Sequence, residues 1–220
     1  MKSRCCAIAL FTLMACAASA EQARPPAASL TQPKGATSRV DTRGFIHRWL
    51  VLEPVPVPGR LTETAVKEAL GAAPLPDAPP RAGEQLTLSN TPVKWHALDT
   101  LNYNVNLYHF AWALSKPTSN VLFWATTVVD SPREIPDARL AIGSNAASRW
   151  WLNGEPVIAL NDDRQAVIDD GVSKRVTLRK GRNVIRAAII NGGGATDFCA
   201  RFLDANDQPI AGLVVTLAAD

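Results

Sequence analysis

Cysteine is scarce in this chain. Of four residues, Cys5, Cys6 and Cys16 fall within the first sixteen positions, and Cys199 stands alone beyond them. A single cysteine in the remaining chain makes no internal disulfide, so the fold must stand on its apolar core. Clustered charge of one sign is also missing. The formal net charge is +3, and the cations are scattered rather than gathered into a stripe, so no nucleic-acid partner is expected. Beyond residue 20 no apolar stretch reaches the roughly 20 residues that span a bilayer. The three histidines, His47, His96 and His109, are far apart, and none forms a metal-spaced pair. There is no Gly-x-Ser-x-Gly elbow, and Gly192-Gly193-Gly194 is followed by no helix that would make it a phosphate cradle, so it reads as a flexible loop tip. No cofactor, no metal and no catalytic residue is therefore expected.

The first twenty residues read as an export signal. Lys2 and Arg4 give a positive start, residues 5–18 a short apolar stretch, and Ala18-Ser19-Ala20 a small-residue cleavage site before Glu21. A second signal overlaps it. Leu13-Met14-Ala15-Cys16 resembles a bacterial lipobox, which makes lipidation of Cys16 the alternative to plain cleavage. Either route places the protein outside the cytoplasm, in the periplasm or beyond, with a lipid anchor in the second case. Residues 21–44, rich in Pro, Ala, Ser, Thr and Gln, read as a flexible linker.

Residues 45–220 read as one β domain. Residues 45–52 (FIHRWLVL) form a first strand, stopped by Pro54, Pro56 and Pro58. Residues 61–70 give the one helix signal, with Thr62 or Thr64 to cap it and Gly71 to end it. Pro74, Pro76, Pro79 and Pro80 then force an irregular connection. Strand signals follow at 85–89, 93–97, 105–114, 121–129, 138–142, 149–152, 156–160, 175–179, 183–190, 198–203 and 213–217. Asn153-Gly154 joins two of them, and this pair suits a type I′ hairpin because both residues tolerate positive φ. Many short strands, regular turns and almost no helix predict an antiparallel β-sandwich of the jelly-roll kind with one short helix.

Several of these segments resemble a known family. The segments are Arg48-Trp49-Leu50-Val51-Leu52-Glu53-Pro54, Ala138 through Asn145, Trp151-Leu152-Asn153-Gly154 and Leu178-Arg179-Lys180-Gly181-Arg182-Asn183. Together they are similar to galactose-binding-like jelly-roll modules found beside bacterial glycoside hydrolases and esterases. The resemblance implies a sandwich and a carbohydrate-binding or accessory role, with Trp151 at the family's tryptophan position in the core. Two departures stand out. Gly143-Ser144-Asn145-Ala146-Ala147 replaces a run that in the family carries acids, which removes oxygen ligands for calcium, and Arg182 stands where the family has a tryptophan.

Aromatic side chains on a sandwich surface are the natural partners of a sugar's C–H face. Trp49, Trp112 and Trp124 lie in apolar strands and are assigned to the core. Trp150 and Trp151 must point to opposite faces of their strand. With Trp151 in the core, Trp150 faces outward or toward a second layer, beside Arg149. Trp95, between Lys94 and His96, and Tyr103, between Asn102 and Asn104, are read as exposed. Trp95, Tyr103 and Trp150 are therefore the candidate ligand-binding residues. Cys199 is read as a buried small hydrophobe, and Asp162-Asp163 and Asp169-Asp170 as solvated turn acids. Three functions follow: a glycan-binding or accessory module; a structural domain that partners an envelope protein; and a polysaccharide-active enzyme using His109 with Tyr108 or Lys94 as acid and base.

Overall fold

The apolar run Trp49-Leu50-Val51-Leu52 and its counterpart 121–125 (VLFWA) show no alternation. A strand reads this way only if both of its faces are covered. The computed structural model, which describes residues 30–76 and 79–217, shows how that happens.

The chain opens with β1 (Leu30–Thr31), β2 (Thr37–Arg39), β3 (Arg48–Leu52) and β4 (Val55–Pro56), followed by helix α1 (Glu63–Ala72). Next come β5 (Gln85–Leu88), β6 (Thr91–Thr100) and β7 (Val105–Asn106), then helix α2 (Leu107–Ala113). The long central strands are β8 (Val121–Ser131) and β9 (Ile135–Ser144), followed by the hairpin β10 (Ala147–Leu152) and β11 (Glu155–Leu160). The chain then adds β12 (Gly171–Val172), β13 (Val176–Leu178), β14 (Gly181–Asn191), β15 (Asp197–Leu203) and β16 (Val214–Thr216).

These strands pair antiparallel into two sheets. The larger runs β1-β6-β3-β8-β14-β10-β11, with β4 and β16 also on β8, β5 on β6, and β2 on β16. The smaller runs β12-β9-β15-β7, with β13 on β9. The antiparallel β-sandwich expected from the strand spacing is the architecture the chain adopts.

Between the sheets lies the main core. Trp49, Val51, Phe123, Ala125, Trp150, Ile185, Ala187 and Ile189 of the larger sheet face Leu140, Ile142, Phe198, Ala200 and Phe202 of the smaller. Trp49, Trp150 and Phe198 meet edge to face, with centroids 5.0 to 6.3 Å apart, the arrangement that ring quadrupoles favour. Each indole N–H is satisfied, Trp49 donating to the Ile46 carbonyl at 2.9 Å and Trp150 to Ser148 Oγ at 3.0 Å.

A second apolar layer lies on the other face of the larger sheet. Leu50, Leu52, Leu122, Trp124, Ala188 and Ile190 point there and pack with Val66 and Ala69 of α1 and with Leu88 and Trp95. Alternating residues of β3 and β8 thus serve two different cores, which accounts for their unbroken apolar sequence.

Three expectations are corrected. Residues 105–114 do not form one strand. Asn106 accepts from His109 N at 2.8 Å and caps α2, which buries Leu107, Phe110 and Ala111 at helical spacing. The described residues therefore form two helices. The linker 21–44 does not extend to Phe45: Leu30 pairs with Thr100, and Ser38 pairs with Val215. The triglycine is not a free loop tip either. A Cβ on Gly192 would come within 2.5 Å of the Gly59 carbonyl oxygen, so the two backbones touch there. The export signal 1–20, Cys16, residues 21–29 and the last three residues of the β domain lie outside the described residues. No helix among the described residues is long and apolar enough to cross a membrane.

Candidate functional site

Strand β10 carries the site. Its hairpin turn has Asn153 at φ 53° and Gly154 at φ 88°, the left-handed pair that a type I′ turn requires. Asn153 Oδ1 accepts from Val184 N at 2.9 Å, and Asn153 N donates to the Val184 carbonyl at 2.8 Å, so the turn is pinned to β14. Within β10, Trp150 and Leu152 point into the main core, while Ala147 and Trp151 point into the second layer. The register with β11 shifts between Trp150 and Trp151, and a bulge of this kind re-aims the side chains beside it.

Trp151 is half-buried and lines two clefts. The first, of about 300 Å³, lies between Trp151, Trp124 and the end of α1, where Leu70 and Pro74 form the wall. The rings of Trp124 and Trp151 are 5.7 Å apart and inclined at 35°. Trp124 is held by its N–H donating to the Ala73 carbonyl at 3.0 Å. Arg186, directly opposite Trp151 in the ladder, closes this cleft. The second, of about 240 Å³, lies over β11 and is bounded by Arg149, Trp151, Pro156 and Ala159. Both volumes are of the order of one or two sugar rings, at or below the lower end of typical ligand pockets of ~300–1,000 Å³.

Arg149 is held in place by neutral groups. Nη1 donates to the carbonyls of Ser148 (3.0 Å) and Leu160 (2.6 Å), and Nη2 donates to Asn161 Oδ1 (2.6 Å). Burial lowers its pKa from the ordinary value, against a pull upward from Glu63. A shelf of this kind offers an apolar ring face with cationic donors beside it, which suits a polar ring compound.

The residues expected to bind ligand lie elsewhere or point inward. Trp150 does not face outward. It is fully buried in the main core, and Trp151 takes the accessible side. The two-residue alternation was right, but its phase was reversed, because a single-residue shift exchanges every side chain between faces. Trp95 is only 2 % exposed. The proline-rich connection folds over it, with Pro76, Pro80 and Leu86 around the ring, and its backbone is tied to Gly83 and Glu84. Tyr103 is half-buried and stacks 5.2 Å from Phe45, with the Arg43 guanidinium 5.3 Å from its ring. These three residues do not form one site.

Tyr108 and His109 neighbour each other on α2, with rings 6.1 Å apart. Lys94 lies on β6 opposite Gln85 and makes no hydrogen bond to either. Burial pushes the Cys199 thiol up to about 11, which suppresses the nucleophilic thiolate. The Asp169-Asp170 pair is not merely solvated: Asp169 pairs with Arg201, and Asp170 with Arg164. Among the described residues no three His, Cys, Asp or Glu side chains gather as a metal site would require.

A third cleft of about 420 Å³ opens between Glu134, Asn153, Glu155 and Arg179. It has no aromatic wall. The Trp151 shelf was missed in the sequence because the assignment of Trp151 to the core hid it. The one available signal was Arg149, two residues earlier on the same face.

No family model matches the chain, and no curated protein sequence does. Among solved structures it is similar to a PA14 sugar-binding domain from an RTX adhesin, at 12% identity and TM-score 0.46, covering 76% of this chain and 96% of that one. It is also similar to a β-glucosidase from Kluyveromyces marxianus in complex with glucose, at 16% identity and TM-score 0.38, over 71% of this chain. A GH31 α-xylosidase from Xanthomonas citri matches at 12% identity and TM-score 0.32, over 86% of this chain. The matched region spans 16% of the β-glucosidase and 19% of the α-xylosidase.

Proposed function

We propose that this chain is an exported, non-catalytic module that holds a glycan against Trp151. The observation that supports this is a half-buried indole that lines two clefts, each with an arginine in its lining. A sugar ring can lay its C–H face on the indole while its hydroxyls take the guanidinium N–H groups. The clefts are shallow and already formed, which suits weak, reversible capture of a polymer better than enclosure of a reacting bond. In this reading the signal is cut before Glu21, or the chain is lipidated at Cys16, and the module works in the periplasm or outside the cell. Mass spectrometry of the exported protein distinguishes the two N-termini.

The test of the site is calorimetric titration of the purified protein against neutral and acidic polysaccharides. Trp151→Ala is expected to lower affinity for the bound polymer by about tenfold or more, equivalent to ~1.4 kcal/mol. Unchanged binding by that variant removes Trp151 from the site. A protein that binds no glycan but co-purifies with an envelope protein supports the structural alternative instead.

A further inference from the structure

Arg149 differs from four other arginines drawn into the fold. Arg48 meets Asp99 at 2.8 Å, Arg139 meets Asp207 at 3.5 Å, Arg164 meets Asp170, and Arg201 meets Asp169 at 3.0 Å. Each of these cations is neutralised by a carboxylate. Arg149 is as withdrawn from solvent as Arg139 or Arg164, yet its three hydrogen bonds go to two carbonyls and one side-chain amide. No carboxylate lies within ion-pair distance of it among the described residues. Glu63, the acid nearest in influence, is exposed on α1 and committed to Lys67 at 2.7 Å.

A guanidinium has five N–H donors. Three of Arg149's are used in fixing its position, and two meet no protein acceptor among the described residues. No Arg149 atom is among the buried polar atoms that lack a partner, so these two donors are open to solvent and can meet an acceptor that enters the cleft. Arg149 and Trp151 stand two residues apart on one strand face, roughly 7 Å along the strand. That is the span of a single sugar unit.

We infer that the shelf takes a carboxylated glycan, a polymer containing hexuronate units, with Trp151 under the ring and Arg149 on the carboxylate. This deepens the glycan reading of Trp151 and rests on it. A hexuronate carries its carboxylate one bond from the ring, so ring and charge can be held together by two such neighbours. The planar carboxylate also matches the guanidinium better than a point charge would.

The experiment compares polygalacturonate, alginate and hyaluronate with the carboxyl-reduced form of each, by titration calorimetry. Two variants are measured beside the parent. Arg149→Gln removes the charge. Ala159→Asp keeps the arginine and sets a carboxylate directly across the ladder from it, at an exposed position whose side chain is small. Thermal unfolding confirms that both variants are folded, and the second serves if the first is not.

The parent is expected to bind at least one acidic polymer about tenfold or more tightly than its reduced form. Both variants should abolish that preference, so that the acidic and reduced forms bind each variant alike, whatever they cost in overall affinity. Rising salt should shrink the preference as well. Equal affinity of the parent for acidic and reduced polymers overturns the inference and leaves the glycan reading intact. So does an Arg149→Gln protein that still prefers the acidic form. A parent that binds no polymer in either form overturns both.

Discussion

Trp150 and Trp151, joined by one peptide bond, look into different apolar layers. Trp150 stands edge-on to Phe198 with centroids 5.5 Å apart between the two sheets, whereas Trp151 inclines toward Trp124 at 5.7 Å on the outer side of the larger sheet. One indole joins the sheets, and the other forms the floor of a cleft.

The two tryptophans should therefore respond differently to truncation. Trp150→Ala removes a fully buried aromatic from the main core and should cost about 3–5 kcal/mol. Trp151→Ala acts on a half-buried ring and should cost about 1 kcal/mol. Urea unfolding followed by circular dichroism measures both. Equal losses would place the two rings in equivalent surroundings, contrary to the packing described.

Acid should loosen a buried ion cluster. Glu53, at the end of β3, accepts from Lys116 at 2.9 Å and from His96 at 3.1 Å, tying the segment after α2 to β3 and β6. Burial alone would raise the Glu53 carboxyl, but the Lys116 and His96 hydrogen bonds outweigh it and hold the group below 4.5. A carboxyl depressed in the folded state contributes stability above its unfolded pKa and loses that contribution as pH falls through the folded value. The parent should therefore lose more Tm than Glu53→Gln between about pH 5 and pH 3. Parallel Tm curves for the two proteins would show that Glu53 carries no such linkage.

The segment from residue 30 should be protected rather than loose. Arg48, nearly inaccessible, makes a bidentate pair with Asp99 and donates to the Gly35 and Lys34 carbonyls at 3.0 and 3.2 Å. Breaking a buried pair of this kind typically costs ~3–5 kcal/mol. Asp99→Ala should expose the chain near Lys34 and Arg39 to trypsin while slower cleavage continues elsewhere. Cleavage there at the parental rate would mean that the Arg48 anchor does not hold this segment.

Much of the architecture is legible residue by residue. The Asn153-Gly154 turn follows from backbone sterics alone, because few residue pairs accept two positive φ angles in succession. Thr62 caps α1, with Ala65 N reaching its hydroxyl at 3.4 Å, and this too is local chemistry. The misread segment 105–114 fails for a physical reason. A short run of bulky apolar residues satisfies a helix or a strand equally well, and only the Asn106 cap and the site against which Leu107 and Phe110 are buried decide between them.

The ligand face was less legible because exposure is a long-range property. Lys94 and His96 made the Trp95 strand look like a surface strand, but fifteen residues upstream Pro80 returns to cover its ring. That Arg149 is held by carbonyls and an amide is likewise a matter of tertiary neighbours, Leu160 and Asn161 on the paired strand and just beyond it.

The antiparallel sandwich is written locally in the chain, because alternation, turn residues and β-branched content act within a few residues of where they stand. Which of two adjacent tryptophans is core and which is shelf depends instead on packing between distant segments. Both faces of the larger sheet are apolar, so periodicity alone could not name the inner one. The distant helix α1 and the proline-rich cover leave Trp151 partly open while they close over Trp95 and Trp124.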